Sequence, residues 1–282
     1  MSNFKLTLGL VILAFICLLA LVEPLIIQQM FPGENPIGFG AYMPFGQPSP
    51  KHLLGTDQMG RDAVAALLIG LRQSLVIGLV AGLMSITLSV LVGFAAGFIG
   101  GTVSNGLRII ADMFLVFPTL PLLLILALYI PKWNVVTMGM LLGAFGWAYG
   151  ALTVRAQVLS LRERPYVDLA RLNNEGALEI IFTELLPGLL PYIFLSMSSG
   201  MVGAILAESG LQVIGIGANL PPTLGNMLGR GYNSGVIGAR LYGQMLVPTA
   251  VLVLLFLGLT LVNMGLEERF NPRLRTVAEE IP

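Results

Sequence analysis

Charged residues, cysteine and histidine are all scarce in this chain. Only 11% of its 282 residues are charged, whereas soluble domains carry about 25%. The formal net charge is zero, which argues against a nucleic-acid partner. The single cysteine, Cys17, excludes an intrachain disulfide, and with one histidine, His52, the usual Cys/His zinc site cannot be assembled. With 56% hydrophobic residues and a mean hydropathy of +0.86, the composition indicates an integral membrane protein.

Sequence signatures of catalysis are missing as well. The chain has no His-Glu-x-x-His, no Gly-x-Ser-x-Gly and no paired intramembrane aspartates. A Walker-type phosphate loop is also absent. We therefore expect no catalytic residue, no metal site and no cofactor in this chain. If transport is active, its energy must come from another subunit.

Long apolar runs take up most of the sequence. A helix needs about 20 apolar residues to cross a bilayer. We predict an all-α membrane protein whose six spanning helices lie at about Leu8–Met30, Ser74–Phe98, Ile109–Ile130, Val135–Val154, Leu189–Ile214 and Met245–Leu266. The first run lacks a small-x-small cleavage site, so we expect a retained anchor. Pro118 and Pro121 should bend the third span.

The predicted spans divide the chain into four parts. Residues 1–30 form the first span, and 31–71 form a long outer loop. Residues 72–268 form a five-helix core with an inner loop at 155–187, and 269–282 form a tail. With the N-terminus inside, nine of the 15 Lys and Arg residues fall on the inner side. The positive-inside rule thus places both termini and the 155–187 loop in the cytoplasm.

The inner loop, Arg155–Pro187, is the one long polar interruption on the predicted cytoplasmic side. It carries four arginines and five acids, and its pattern predicts helix, short break, helix. A membrane protein that only conducts has little need of such an element. We interpret it as a docking element for a separate soluble motor.

The outer loop is rich in Pro and Gly in its first half and amphipathic in its second. We expect a short helix lying on the outer membrane face, with Thr56 or Asp57 as its N-cap. Two interpretations of the Asp57–Asp62 segment stay open. It shapes the face on which a partner docks, or it supplies only a helix cap and a local salt bridge through Arg61.

A few polar and glycine positions stand out inside the spans. Glu208 is a functional candidate because ionisable groups at membrane depth are expensive, although a hydrogen bond to loop backbone is the alternative. Arg108 and Asp112 are spaced for an i, i+4 ion pair. Glycine pairs spaced for close helix packing occur at Gly78/Gly82, Gly93/Gly97, Gly139/Gly143 and Gly146/Gly150.

Three sequence blocks resemble the membrane subunits of bacterial and archaeal ABC importers, in the shorter permease of the dipeptide/oligopeptide family. His52–Asp62 is similar to the signature H-x-L/F-G-T-D-x-x-G-R-D. Tyr166–Arg171 is similar to the family's cytoplasmic coupling motif. Leu220–Leu228 resembles the loop before the last span, and Asn271–Leu274 resembles the D-P-R-L end. The resemblance covers about residues 50–275.

The resemblance implies roles for particular residues. Those expected to couple to the ATPase are Tyr166, Asp168, Ala170, Arg171, Asn174 and Gly176, and those expected at the outer docking face are Asp57, Arg61 and Asp62. The chain departs from the coupling motif at Asp168 (usually Glu), Leu169 (usually Ala) and Asn174 (usually Gly). Since Asn also takes the left-handed backbone conformation, the turn at Asn174 should persist.

The resemblance also implies an assembly. The partners would be a second homologous permease, two ABC ATPases that bind ATP and Mg²⁺, and an external substrate-binding protein, all at a bacterial or archaeal inner membrane. Peptides are the favoured cargo, with oligosaccharides or nickel chelates as alternatives. We expect the cargo to pass through a cavity walled by Met, Leu, Phe, Gly and Ser. A self-contained secondary carrier would need matching broken helices in two halves, but the sequence shows only Pro118/Pro121.

Overall fold

The computed structural model describes residues 4–130, 134–216, 221–233 and 235–270. Its helices are α1 (Phe4–Met30), α2 (Ala63–Phe98), α3 (Gly101–Val116), α4 (Thr119–Tyr129), α5 (Val135–Leu161), α6 (Pro165–Leu172), α7 (Ala177–Ile180), α8 (Leu186–Val213), α9 (Leu224–Asn233) and α10 (Gly243–Phe270). A π-helical turn at Ile181–Leu185 leads into α8. Five of these helical segments are long and apolar enough to cross a membrane, and α3 with α4 adds a sixth if the pair counts as one span. The predicted all-α membrane fold is confirmed.

The third predicted span is broken where the sequence predicted a bend. Helices α3 and α4 meet at 83°, and the backbone is extended at Phe117 and Pro118. A residue before proline avoids the helical conformation, so Pro118 ends α3 at Val116. The ion pair predicted on α3 is present, with Arg108 Nε 3.5 Å from Asp112 Oδ2.

The prediction of a short amphipathic helix on the outer face, separate from the second span, is wrong. Residues 63–71 belong to the first turns of α2, which runs unbroken for 36 residues. The N-cap is Asp62, whose Oδ1 accepts the Ala65 N–H at 2.8 Å. Thr56 and Asp57 lie in the preceding loop instead. The apolar residues after Asp62 continue into the span without a helix breaker, so no second helix start is available.

Glycines let α2 and α5 approach at backbone distance, as their spacing predicted. A Cβ on Gly93 would sit 2.6 Å from Val154 Cβ, and one on Gly143 would sit 2.6 Å from the Ala81 carbonyl oxygen. Neither position has room for a side chain. The α2–α5 pair is therefore the tightly packed centre of the bundle.

Contacts at the two ends of the bundle define two regions. At one end, here called the inner end, Lys5 pairs with Glu268 at 2.5 Å, and Arg162 donates to the Gly97 carbonyl at 3.0 Å. At the opposite end, the loop 31–62 packs on the segment 221–242, and Gln244 donates to the Thr56 carbonyl at 2.9 Å. We call this second region, which includes α9, the outer cap.

Candidate transport cavity and docking surfaces

A cavity of about 690 Å³ lies between α2, α4, α5 and α8. Its lining combines apolar side chains such as Leu123 and Leu142 with small residues and with hydroxyl-bearing ones. The hydroxyl-bearing members are Ser85, Ser89, Thr119, Tyr149, Thr153, Tyr192, Ser196 and Ser199. Glu267 is the one acid among its described lining residues. Of the expected wall residues, Leu, Gly and Ser are present, whereas Met is absent from the described lining and Phe145 is its single Phe.

The α8 wall of the cavity is marked by a sequence pattern that the predicted site residues do not include. Its lining residues recur at Tyr192, Ser196, Ser199/Gly200, Gly203 and Ala207, a spacing of three to four residues. Positions at that spacing share one helix face. This stripe of small and hydroxyl residues in an otherwise apolar span is therefore the face that α8 turns toward the cavity.

Helix α6 is fixed to the bundle by one face. Val167 and Ala170 are buried in a cluster with Val154 and Val158 of α5 and Leu189 of α8. The cluster joins α6 to two of the helices that wall the cavity. The predicted helix–break–helix of the inner loop is confirmed by α6 and α7.

The opposite face of α6 is apolar and uncovered. Tyr166, Leu169 and Leu172 are 39%, 61% and 78% exposed, and their i, i+3, i+6 spacing places them on one side of the helix. Exposed apolar side chains are ordinary where a membrane helix faces lipid. Here they stand on a polar loop at the inner end of the bundle, where contiguous apolar exposure marks an interaction surface.

The turn after α6 has the geometry predicted for Asn174. Asn174 has φ +58°, and the Glu175 N–H donates to the Ala170 carbonyl at 3.1 Å, as in a Schellman helix end. Gly176 has no positive φ, and a Cβ there would meet nothing within 4 Å. Asp168 is exposed, whereas the side chain of Arg171 lies outside the described part of the structure.

The carboxylates of the outer signature are turned into the protein. Asp57 Oδ1 accepts the backbone N–H groups of Met59 and Arg61 at 2.8 and 2.9 Å. Asp62 is fully buried, and its Oδ2 lies 2.9 Å from His52 Nδ1. The two acids thus shape the loop and start α2. Among the residues that the structure describes, the local salt bridge expected through Arg61 is not formed, and Asp57 Oδ2 lies 4.0 Å from an Nη atom of Arg230 in α9.

Glu208 belongs to a buried polar network that holds α9 in place. Thr223 Oγ1 donates to Glu208 Oε1 at 2.6 Å and accepts the Asn226 N–H at 3.0 Å. Asn226 also donates to Gln212 Oε1 of α8 at 2.8 Å. Glu208 is absent from the described cavity lining. Its geometry favours a structural role, through the Thr223 hydroxyl rather than the expected loop backbone.

Across residues 4–130, 134–216, 221–233 and 235–270, no group of three or more His, Cys, Asp or Glu side chains is placed to hold a metal ion. The D-P-R-L-like end, Asn271–Leu274, lies outside these ranges.

Known proteins similar to this chain are membrane components of transport systems. The family described as "Binding-protein-dependent transport system inner membrane component" matches residues 89–276. The chain is 28% identical to the oligopeptide transport system permease protein OppC of Bacillus subtilis, over 97% of this chain and 87% of that protein. It is 31% identical to a putative peptide transport system permease protein of Brucella abortus, over 98% of this chain and 90% of that protein.

A third relative extends the comparison to a dipeptide system. The chain is 30% identical to the dipeptide transport system permease protein DppC of Lactococcus lactis, over 79% of this chain and 64% of that protein. The family match spans more than half of the chain and includes α5, α6, most of the cavity lining and α10. The chain therefore belongs to the binding-protein-dependent transport system inner membrane components, as a multi-pass permease subunit of an ABC importer.

Proposed function

We propose that this chain passes peptides through the cytoplasmic membrane for an ATP-driven importer, with α6 as the element on which an ATPase docks. The observation that carries the proposal is the two-faced character of α6. One face packs in the cluster with Val154 and Leu189, and the other presents Leu169 and Leu172 uncovered. Both termini and α6 lie in the cytoplasm in this arrangement.

The packing supplies a route from the docking element to the cavity. Val154 is on α5, where Thr153 lines the cavity, and Leu189 is on α8, just before Pro191 and Tyr192 of the cavity wall. Packed interfaces transmit displacement as rigid-body motion because they deform little. A push on α6 by a closing ATPase pair would therefore tilt two cavity walls together.

The assembly required by this mechanism has three kinds of partner. A second homologous permease would complete the cavity, two ABC ATPases would bind ATP and Mg²⁺ at the inner end, and an external binding protein would deliver cargo at the outer cap. No step of ATP hydrolysis is assigned to residues of this chain. Its part is to hold the cavity and to move with α6.

Peptide cargo is supported by the lining as well as by the names of the relatives. Hydroxyl groups such as those of Ser196 and Tyr149 donate and accept hydrogen bonds, so they match the amide groups that every peptide repeats. The Gly, Ala and Ser positions of the lining leave room for peptide side chains of different shapes. Oligosaccharides or nickel chelates remain as the alternative cargo.

The cargo proposal is tested with the complete transporter in proteoliposomes. Its own binding protein is loaded with a labelled peptide, an oligosaccharide or a nickel chelate, and ATP-dependent accumulation is measured. We expect uptake of the peptide alone. Accumulation of only another cargo would contradict the peptide assignment, and flux through this chain without partners or nucleotide would favour a secondary carrier.

The docking proposal is tested with Leu169→Asp, because Leu169 is exposed and its replacement leaves the buried face of α6 untouched. We expect loss of ATPase binding and at least a hundredfold loss of ATP-driven uptake, since a carboxylate would be buried unpaired in the interface. Asn173→Asp adds the same charge at an exposed position just past the helix and serves as the matched control. ATPase binding by Leu169→Asp equal to that of Asn173→Asp would rule out α6 as the docking surface.

A further inference from the structure

The transport cavity carries a single formal charge among its described lining residues, the carboxylate of Glu267. The other described lining residues are apolar, small or hydroxyl-bearing. Glu267 is exposed and forms no ion pair or hydrogen bond within the described ranges, whereas the next residue, Glu268, pairs with Lys5 at 2.5 Å. The charge of Glu268 is thus neutralised inside the chain, and the charge of Glu267 is open to whatever occupies the cavity.

A second unused acceptor lies one helical turn from Glu267. Asn263 precedes Glu267 by four positions on α10, so the two side chains are neighbours on one helix face. Asn263 Nδ2 donates to Ser199 Oγ of the cavity wall at 3.3 Å, and Asn263 Oδ1 is shielded from water without a hydrogen-bond partner in the described part of the chain. Buried acceptors are nearly always bonded. The corner formed by Glu267, Asn263 and Ser199, here called the acceptor corner, therefore has more acceptor capacity than the chain itself uses.

The acceptor corner lies toward the inner end of the cavity. Helix α8 leaves the inner end while α10 returns to it, and the two helices meet where Asn263 bonds Ser199. Glu267 lies one turn closer to the inner end, next to the Lys5–Glu268 pair. A cavity of about 690 Å³ is within the size range of sites that hold small ligands. A short peptide can thus occupy it with one end at Glu267.

We propose that Glu267 receives a primary ammonium group of the peptide cargo, with Asn263 Oδ1 and the Ser199 hydroxyl as neighbouring acceptors. The inference deepens the proposed function and rests on it. An ammonium group has three donors and no acceptor, which matches the surplus of acceptors at the acceptor corner. A carboxylate attracts this group and repels the carboxylate at the other end of a peptide. The cargo is therefore held with its ammonium toward the inner end.

The test measures the affinity of short peptides for the assembled transporter in nanodiscs, without the binding protein, by saturation-transfer NMR. The probes are tri-alanine and N-acetyl-tri-alanine, which has no ammonium group. We expect Glu267→Gln to raise the Kd of tri-alanine at least fivefold and that of N-acetyl-tri-alanine less than twofold, since only tri-alanine loses a charge-assisted contact. Glu268→Gln is the matched control, because it removes the same charge one residue away and outside the described lining. It should change either Kd less than twofold.

Two further measurements identify the group that is bound. N-acetyl-Ala-Lys-Ala carries its only ammonium on a lysine side chain. A fivefold loss with Glu267→Gln for this peptide as well would assign any primary ammonium to the site, and a loss confined to tri-alanine would assign the N-terminus. Glu267→Lys should bind N-succinyl-tri-alanine more tightly than tri-alanine, because the charges of site and cargo are then exchanged.

Several outcomes would overturn the inference. These are no binding of tri-alanine to the wild-type transporter, a Kd of tri-alanine for Glu267→Gln within twofold of wild type, and an equal loss for N-acetyl-tri-alanine. Separation of the two permease chains by Glu267→Gln but not by Glu268→Gln in size-exclusion chromatography would also overturn it, because the carboxylate would then pair with the second permease. ATP-dependent peptide uptake by the wild-type transporter tests the proposed function independently, so normal uptake with unaltered Glu267→Gln binding would remove this inference alone.

Discussion

The two ends of this protein satisfy their polar and apolar groups in opposite ways. In the outer cap, Asp62 and Thr223 are buried, and each is bonded within the chain, Asp62 to Ala65 and Thr223 to Glu208 of α8. At the inner end, α6 is a short helix with an uncovered apolar face. The outer cap is largely complete by itself, whereas the inner end is half of an interface. The outer cap should therefore respond to mutation in stability, and the inner end in coupling.

The largest effect is expected from Ala170→Pro in α6. Proline inside a helix removes a hydrogen bond and clashes with the preceding turn, at a cost of about 3 kcal/mol or more, and Ala170 is buried against the bundle. We expect ATP-driven uptake to be abolished while the spanning helices stay inserted. Asp168→Lys, at an exposed site in the same helix, should also abolish uptake. Near-normal uptake in vesicles by either variant, at wild-type membrane levels, would show that the inner end does not couple transport to the ATPase.

A smaller effect, on stability, is expected from Asp62→Ala in the outer cap. The change removes the N-cap of α2 and leaves His52 without its partner, so we expect a loss of about 2 kcal/mol. Thermal unfolding of the purified transporter in detergent measures it as a lowered Tm. Asp168→Ala, which changes the same residue type at an exposed position of α6, is the control and should lower Tm much less, because interactions of exposed charges contribute little to stability. Equal Tm values for the two variants would show that the outer cap does not depend on its buried acids.

The smallest effect, and the one that separates structure from transport, concerns Glu208. Glu208→Gln keeps an oxygen to accept the Thr223 hydroxyl, so we expect nearly normal Tm and uptake. Glu208→Ala leaves the buried Thr223 hydroxyl without its acceptor and should lower stability by about 1–3 kcal/mol. Uptake lost in the stable Glu208→Gln variant would instead assign the carboxylate to the transport step.

The sequence predicted the features that depend on local chemistry. Long apolar runs indicated the membrane class because unpaired backbone groups cannot be left in lipid. The helix–break–helix of the inner loop and the left-handed Asn174 followed from residue preferences within a few positions. The short outer helix was mispredicted because a plausible cap at Thr56 or Asp57 competed with Asp62, and only the bonds of Asp62 to Ala65 and His52 decide between them.

What the amino-acid order determined alone was the class, the spans and the membership of a permease family, since each rests on short-range patterns of hydropathy and motif. Tertiary structure alone decided which charges meet. Met59 and Arg230 are 171 positions apart, yet folding brings Arg230 into contact with Met59 and within 4.0 Å of Asp57. The tertiary structure also buries Val167 of α6 while leaving Leu169 exposed, and it brings hydroxyl groups from different helices to one cavity. Such contacts join segments far apart in the chain, so local sequence patterns do not specify them.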